Sequence, residues 1–177
     1  MAAKANYGTL KDPDAAVSKM EAKTDLFPAT RQILTKATGR DLNKFMRGCL
    51  GVLELPQLLM YEAPILWLID SNDDFVFALE EYIDAETLDP ISIRPRNLPR
   101  EITGAKRPLI RLGHPSLTSD LKAKIGGEIY LEDNKWHLSN SSGRYGYGEE
   151  RKKTHLISVA KLLKKHGISL KLDYIED

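Results

Sequence analysis

The stretch at residues 139–148, here called the 139–148 loop, is rich in groups that bind anions. It contains three serines, one asparagine, three glycines, two tyrosines and one arginine. Glycines allow backbone N–H groups to turn toward a bound oxygen, and Arg144 can hold a phosphate or carboxylate through two parallel hydrogen bonds. A helix predicted to follow adds positive potential at its N-terminus. The residues predicted to bind an anionic small molecule are Asn140, Ser141, Ser142, Gly143 and Arg144, together with Arg111.

A second interpretation of this loop stays open, in which it is a polar surface loop that binds nothing. Glu149 and Glu150 already favour the start of the following helix, and they would repel an anion. The glycine spacing also differs from that of a P-loop, which requires GxxxxGK followed by Ser or Thr. The anion-binding hypothesis therefore depends on Arg144 and on the backbone of the loop.

His114 is the other candidate for chemistry, because it lies near Arg111 and two residues before a serine hydroxyl. An imidazole in this setting can act as a general base or bind a ligand, whereas a loop histidine satisfied by the backbone is the alternative. The candidate catalytic residues are His114, Ser116, Arg144 and Tyr145. His137 alternates with Trp136 on a predicted hairpin, so its side chain is expected to face solvent. No spacing of histidine, cysteine and carboxylate resembles a zinc site, so we expect no metal and no cofactor.

Three short motifs follow one another in the C-terminal part of the chain: His114-Pro115-Ser116-Leu117, then Gly127-Glu128-Ile129, then Asn140-x-Ser142-Gly143-Arg144-Tyr145. In this order they resemble a domain of bacterial polymorphic-toxin-like or effector-like proteins, over residues 109–172. The chain departs from the family pattern at Pro115, where Ser is common, and at Gly126, where Ala is common. The resemblance implies that the three segments gather near one end of the hairpin, with Glu128 as a candidate partner for Arg144. Our leading hypothesis is an effector- or toxin-like domain that binds a phosphate-bearing or nucleotide-like ligand, and whether it is an enzyme stays open.

The charged residues are segregated along the chain, although the net charge is only +1. Residues 48–93 contain no Lys or Arg, and eight carboxylates lie in the acidic stretch at residues 70–89. Basic residues dominate from Arg94 to Lys124. The two segments either pack against each other or leave an acidic surface for a protein partner, as in a non-enzymatic immunity or adaptor protein. Aromatic residues are few and not interleaved with the basic ones, so nucleic acid is not an expected partner.

The length of the chain and its fraction of apolar residues predict one globular domain. Its longest apolar runs are interrupted by Pro56, Glu62 and Pro64, so we expect no membrane span. No signal peptide is recognised, and we expect a cytoplasmic protein at synthesis. Export by a secretion system that needs no signal peptide is compatible with the same sequence.

The N-terminal part is expected to be helical. Residues 1–13 are predicted to form a loose arm and residues 14–60 a helical layer. Helices are predicted over 14–23, over 28–39 and from Asp41 onward. The last of these has an apolar face formed by Leu42, Phe45, Met46, Cys49 and Leu50.

The remaining residues 64–177 are predicted to contain a small, mainly antiparallel sheet. Continuous apolar runs at 65–69 and 75–79 flank an aspartate-rich turn, and residues 90–108, with four prolines, are expected to be a long surface loop. A C-terminal hairpin–loop–helix–strand unit follows, with strands at 127–131, 135–138 and 168–174 and a helix from Glu150 to His166. The predicted fold class is therefore α+β, with the helical layer packed on the sheet.

Overall fold

The fold is described from a computed structural model, which covers residues 6–13, 26–50, 63–93 and 109–176. The helix predicted at 14–23, the end of the predicted helical layer and most of the predicted 90–108 loop lie outside these residues. The described part has mixed α and β structure, as expected. Its helices are α1 (Lys36–Gly48) and α2 (Lys153–Lys165), and a 3₁₀ turn spans His114–Leu117.

Nine strands form in the described part of the chain, in two sheets. In chain order they are β1 (Gln32–Ile33), β2 (Ile65–Ile69), β3 (Phe75–Leu79), β4 (Glu81–Asp84), β5 (Pro90–Ile93), β6 (Leu109–Leu112), β7 (Ile125–Glu132), β8 (Lys135–Ser139) and β9 (Lys171–Asp173). The larger sheet has the order β1-β3-β2-β7-β8-β9, and the smaller has the order β5-β4-β6. All pairs are antiparallel except β8 and β9, which are parallel.

One face of the larger sheet packs in the main hydrophobic core. Alternate side chains along β2 and β7, among them Trp67 and Ile129, lie on this face because successive residues of a strand point to opposite sides. The apolar stripe of α1 contributes Leu42 and Met46 to the same core, and α2 contributes Leu163 among others. Both helices therefore contribute to this core, and the hydrophobic effect fixes the register of the central strands.

The opposite face of the larger sheet has an apolar half and a polar half. On β2, Leu66 and Leu68 pack in a separate cluster with Tyr145 and with Leu117 of the 3₁₀ turn. Across β7 and β8 the same face is polar, because Leu66 pairs with Glu128, which in turn pairs with Ser139. The 139–148 loop begins directly after this polar half.

Two N-terminal predictions are wrong. The helix predicted over 28–39 does not form, because Gln32–Ile33 pair with β3 as an edge strand. The first described helix begins at Lys36 instead of after Asp41, since Thr35 and Thr38 form a capping box there. Gly39 therefore lies inside α1, where it packs against His166 and does not end a helix.

Other boundaries differ less. The hairpins at β2–β3 and β7–β8 lie where they were predicted, and α2 ends before Gly167, whose φ of +78° is the left-handed C-terminal conformation. The final strand is only three residues long, and Pro90–Ile93 form a strand of the unpredicted smaller sheet. Residues 6–13 are not a loose arm, because Tyr7 is buried and Lys11 pairs with Ala123. Within the described residues, no helix combines the length and apolarity required to span a bilayer.

Candidate ligand-binding loop

The three segments that carry the family resemblance meet around the start of β7. His114 Nε2 donates a hydrogen bond to the Gly127 carbonyl oxygen at 2.8 Å, so this ring nitrogen carries the proton. The backbone N–H of Gly126 donates to the Tyr145 carbonyl oxygen at 3.3 Å. The 3₁₀ turn, strand β7 and the 139–148 loop are thus joined by direct contacts.

Gly126 and Gly127 permit this close packing because they lack a side chain. A Cβ on Gly126 would lie 3.2 Å from Tyr145 Cβ and 3.5 Å from His114 Cδ2. A Cβ on Gly127 would lie only 1.9 Å from the Ser139 carbonyl oxygen, which is well inside van der Waals contact. The two glycines therefore fix how close the histidine and the loop come to the sheet.

The polar side chains at the start of the loop bind the loop's own backbone. Ser142 Oγ accepts hydrogen bonds from the N–H groups of Arg144 and Tyr145, at 3.4 and 3.2 Å. Asn140 Nδ2 donates to the Gly146 and Ile175 carbonyl oxygens, both at 2.9 Å, and its Oδ1 accepts from the N–H of Ile175 at 2.8 Å. These bonds fold the loop tightly and attach it to the chain after β9.

Tyr145 anchors the other side of the loop in the protein interior. Its side chain is 0% exposed, and its hydroxyl donates to the Leu121 carbonyl oxygen at 2.7 Å. Its carbonyl oxygen accepts from Arg151 Nε at 3.1 Å, and Arg151 is itself only 2% exposed. Tyr145, predicted as a catalytic residue, therefore has a position that stabilises the loop and does not face solvent.

The tip of the loop is its accessible part. Gly143 is exposed, and the space where its Cβ would lie is open. Arg144 follows it and is half-buried, as is Ser141, whose hydroxyl makes no hydrogen bond to any residue in the described part of the chain. The residues of the tip that solvent reaches are thus Ser141, Gly143 and Arg144.

Two other predicted site residues lie apart from the tip. Ser116 is 2% exposed, and its hydroxyl has no hydrogen-bond partner within the described residues. Arg111 lies on β6 of the smaller sheet, where its Nε donates to Glu80 Oε1 at 2.7 Å. The Arg111 guanidinium is therefore engaged with a carboxylate.

Most of the acidic stretch is also engaged within the protein. Asp70 accepts hydrogen bonds from the turn after β2, and Asp84 does the same after β4. Glu81 accepts from the N–H groups of Ala29 and Thr30. Two further carboxylates bind the basic segment, in the ion pairs Asp73–Lys124 and Glu80–Arg111. The carboxylates of the stretch that remain exposed are Asp74, Glu86 and Asp89.

Sequence reasoning missed a polar cluster on the polar half of the larger sheet. The Tyr130 ring stacks on the His137 ring, with centroids 5.0 Å apart, and the Tyr130 hydroxyl donates to Asp173. Burial raises the pKa of the Tyr130 hydroxyl above its usual value, and the hydrogen bond to Asp173 and nearby carboxylates raise this pKa further. The sequence offered one signal of this cluster: Tyr130 and His137 lie at positions that pair across the predicted hairpin.

His137 is the unexpected member of this cluster. It was predicted to face solvent, but it is only 4% exposed, because the ring of Tyr130 lies against it. Its ring thus belongs to a cluster in which the Tyr130 hydroxyl and the Asp173 carboxylate are joined by a hydrogen bond. An imidazole in such a cluster can serve as a general acid or base.

No group of three or more His, Cys, Asp or Glu side chains is placed to hold a metal ion within residues 6–13, 26–50, 63–93 and 109–176. Cys49 is buried, and burial raises the pKa of its thiol, which disfavours the nucleophilic thiolate. No protein-family model, curated protein or solved structure matches this chain.

Proposed function

We propose that this chain is an effector- or toxin-like domain that binds a phosphate-bearing small molecule at the tip of the 139–148 loop, with Arg144 as the ligand-binding cation. One observation carries the proposal: the loop is anchored on both sides while its tip opens on solvent. Asn140 and Ser142 hold one side, and Tyr145 holds the other. Gly143 and Arg144 lie between these anchors.

Anchoring favours binding because a rigid loop loses little conformational entropy when a ligand is bound. Arg144 contributes a planar guanidinium that matches two oxygens of a phosphate. The Ser141 hydroxyl adds a second donor near the tip, and the exposed Gly143 allows a ligand to approach the backbone closely. His114 holds the 3₁₀ turn against β7, next to the loop, through its hydrogen bond to Gly127.

Calorimetric titration with ADP and with inorganic phosphate tests the binding step. We expect ADP to bind the wild-type protein, and Arg144→Ala to weaken this binding at least about tenfold, since a charge-assisted hydrogen bond is removed. Arg144→Lys keeps the positive charge but cannot form two parallel hydrogen bonds, so its affinity for ADP should lie between those of wild type and Arg144→Ala. Arg47→Ala is the matched control, because Arg47 is an exposed arginine on α1. Equal affinity of Arg144→Ala and wild type for ADP would refute the assignment of Arg144.

A growth assay tests the effector part of the proposal. A bacterium expressing the intact wild-type chain should stop growing, whereas Arg144→Ala at the same soluble level should allow growth. His114→Ala should act in the same direction, because it removes the hydrogen bond that joins the 3₁₀ turn to β7, and the loop binds β7 through Gly126. Growth of all three strains at the same rate would exclude toxicity in that host.

A second candidate function, acid–base catalysis on the bound ligand, is favoured by His137, whose ring stacks on Tyr130 beside Asp173. In this version His137 exchanges the proton and Tyr130 positions its ring, because the Tyr130 hydroxyl is itself held by its hydrogen bond to Asp173. His137→Gln should then leave the affinity for ADP unchanged and abolish growth arrest. If His137→Gln arrests growth as fully as wild type, the domain acts through binding alone.

A further inference from the structure

Residues 6–13 form a strap that crosses the start of α2 and reaches the 139–148 loop. At one end, Tyr7 is buried in the main core. At the other, Lys11 and Ala123 exchange backbone hydrogen bonds of 3.1 Å, and Lys11 Nζ donates to the Tyr147 carbonyl oxygen at 3.2 Å. Between these ends, the Thr9 hydroxyl donates to Glu150. The strap is therefore attached at several points to the elements that hold the loop.

Arg151 joins the strap to the loop. Its guanidinium donates to the carbonyl oxygens of Tyr145, Thr9 and Ala123, at 3.1, 3.1 and 3.4 Å. These three carbonyls belong to the loop, to the strap and to the segment before β7. Because one buried side chain binds all three, displacement of the strap removes part of the support of the loop.

His155 lies directly beneath the strap, in the first turn of α2. It is 6% exposed, and its Nδ1 accepts a hydrogen bond from the Lys152 N–H at 3.2 Å. Gly8 packs against the ring: a Cβ on Gly8 would lie 3.0 Å from Nδ1 and 3.1 Å from Cε1 of His155. Gly8 has φ +91°, which an L side chain rarely adopts, so both its backbone and its size suit this contact.

We propose that the strap is a pH-sensitive clamp, which protonation of His155 releases from the start of α2. A proton on Nδ1 turns the acceptor of the Lys152 N–H into a donor, so two donors then face each other. The same proton places a second buried cation beside Arg151. The Arg151 Nη1 atom would lie 3.3 Å from a Cβ on Gly8, on the same side of the strap. Rotation of the ring out of this position displaces Gly8 and with it the strap.

The other charged groups around His155 do not prevent this outcome. Arg151 and Lys152 are cations that disfavour a charged ring, and burial lowers the pKa of His155 further than either. Glu149 and Glu150 line the cavity of about 420 Å³ between the strap and α2, but both are exposed and therefore screened by solvent. The Glu150 carboxylate also accepts the Thr9 hydroxyl, so it is shared with the strap itself.

The functional consequence is a change in the loop, because the strap binds it through Lys11 and through Arg151. Release of the strap removes the Lys11 hydrogen bond to Tyr147 and the Thr9 carbonyl from Arg151. The clamp is inferred from the contacts of the strap alone. It can therefore be tested whether or not Arg144 binds a phosphate.

Backbone ¹⁵N relaxation and amide exchange of residues 8–12 and of Ala123 test the clamp in the intact chain. Because burial and the neighbouring cations lower the pKa of His155, the change is expected below the ordinary histidine value of about 6.5. At about pH 5 the Lys11 and Ala123 amides should be at least about tenfold less protected than at about pH 7.5 in the wild type. His155→Gln places a non-titrating acceptor at the same helix position, so its strap should stay protected at both pH values. His166→Gln is the control for titration of a histidine far from the strap.

Gly8→Ala supplies an independent test in case His155→Gln alters the fold. Its side chain contacts the His155 ring and strains the backbone at φ +91°, so the strap should be released already at about pH 7.5. The proposal is overturned if the wild-type strap keeps its protection at about pH 5. It is also overturned if wild type and His155→Gln lose protection equally, or if Gly8→Ala stays protected.

Discussion

Arg151 Nε donates a hydrogen bond to the Tyr145 carbonyl oxygen at 3.1 Å, and this contact ties the first candidate site to the rest of the fold. The guanidinium is almost fully buried and binds two further carbonyls, in the strap and before β7. The anchors that make the loop rigid are thus distant in sequence but meet at one side chain. Such an arrangement makes stability and ligand binding depend on the same residue.

Arg151→Ala should be among the most destabilising single changes in the chain. It leaves three carbonyl oxygens without this donor and opens a cavity, so we expect a loss of about 3 kcal/mol in the free energy of unfolding. Urea unfolding followed by circular dichroism measures this loss of stability, and Arg47→Ala on the exposed face of α1 is the control. A loss similar to that of the control would show that Arg151 is not a structural junction.

The glycines around the loop should differ sharply in their response to a methyl group. Gly127→Ala places Cβ 1.9 Å from the Ser139 carbonyl oxygen, and Gly146→Ala places it 1.8 Å from the Asn140 carbonyl oxygen. Both clashes involve backbone, so each should cost about 3 kcal/mol or more of stability. Gly143→Ala meets open space and should change stability by less than about 0.5 kcal/mol.

Thermal and urea melts of the three variants decide this prediction. If Gly143→Ala is as destabilising as Gly127→Ala, the tip of the loop is packed and the accessible site assigned to it is wrong. Because Gly143→Ala leaves the anchors in place, its stability separates the tip of the loop from the anchors.

Two serines of the family-like motifs should have opposite effects on stability. Ser116→Ala removes a buried hydroxyl that has no partner within the described residues, so stability should be unchanged or rise by about 1 kcal/mol. Ser142→Ala removes an acceptor of two backbone N–H groups, and it should cost about 1–2 kcal/mol. Comparison of the two urea midpoints checks this. Destabilisation by Ser116→Ala would mean that its hydroxyl does have a structural partner.

The sequence predicted the central hairpins because they depend on strong local signals, whereas the meeting of the three motifs was expected only from the resemblance. Uninterrupted apolar runs such as 65–69 allow few structures other than buried strands. The N-terminal helices were predicted less well, because Ile33, Leu34 and Ala37 fit a helical stripe although Ile33 pairs with β3. Here tertiary pairing and the capping box at Thr35 outweighed the local pattern.

The candidate site was predicted by residue type but not by role. Ser, Asn and Tyr side chains are as well suited to binding the chain's own backbone as to binding a ligand, and sequence does not distinguish the two. Asn140, Ser142 and Tyr145 bind backbone here, whereas Gly143 at the tip is exposed. His137 was misplaced for a related reason: alternation identifies the face of a strand but not whether a ring such as Tyr130 covers it.

The ion pair between Glu80 and Arg111 should contribute only modestly to stability. Glu80 is buried but the Arg111 side chain is 60% exposed, so solvent screens the interaction. A double-mutant cycle with Glu80→Gln and Arg111→Gln should give a coupling energy of about 0.5–1 kcal/mol, which decreases at high salt. The absence of coupling would show that the ion pair between the acidic and basic segments does not stabilise the fold. It would then support the alternative in which the acidic stretch is a surface for a protein partner.

Tyr130→Phe should change how stability depends on pH at the alkaline end. Burial and the hydrogen bond to Asp173 raise the pKa of Tyr130 in the folded state, so the folded protein keeps this proton at a pH where the unfolded chain releases it. The stabilisation from Tyr130 is therefore fully present below the unfolded pKa of about 10 and is lost as pH rises through the folded value.

At about pH 8, where Tyr130 is protonated in both states, the variant should be less stable than wild type by about 1 kcal/mol, the worth of the lost hydrogen bond. Above about pH 10, the wild type should lose stability more steeply than the variant, because only the wild type has this proton to release. Urea unfolding at the two pH values measures both effects, with the other tyrosines common to the two proteins. Parallel pH profiles would show that the Tyr130 hydroxyl titrates as it does in the unfolded chain, and would remove the support it gives to an acid–base role for the cluster with His137.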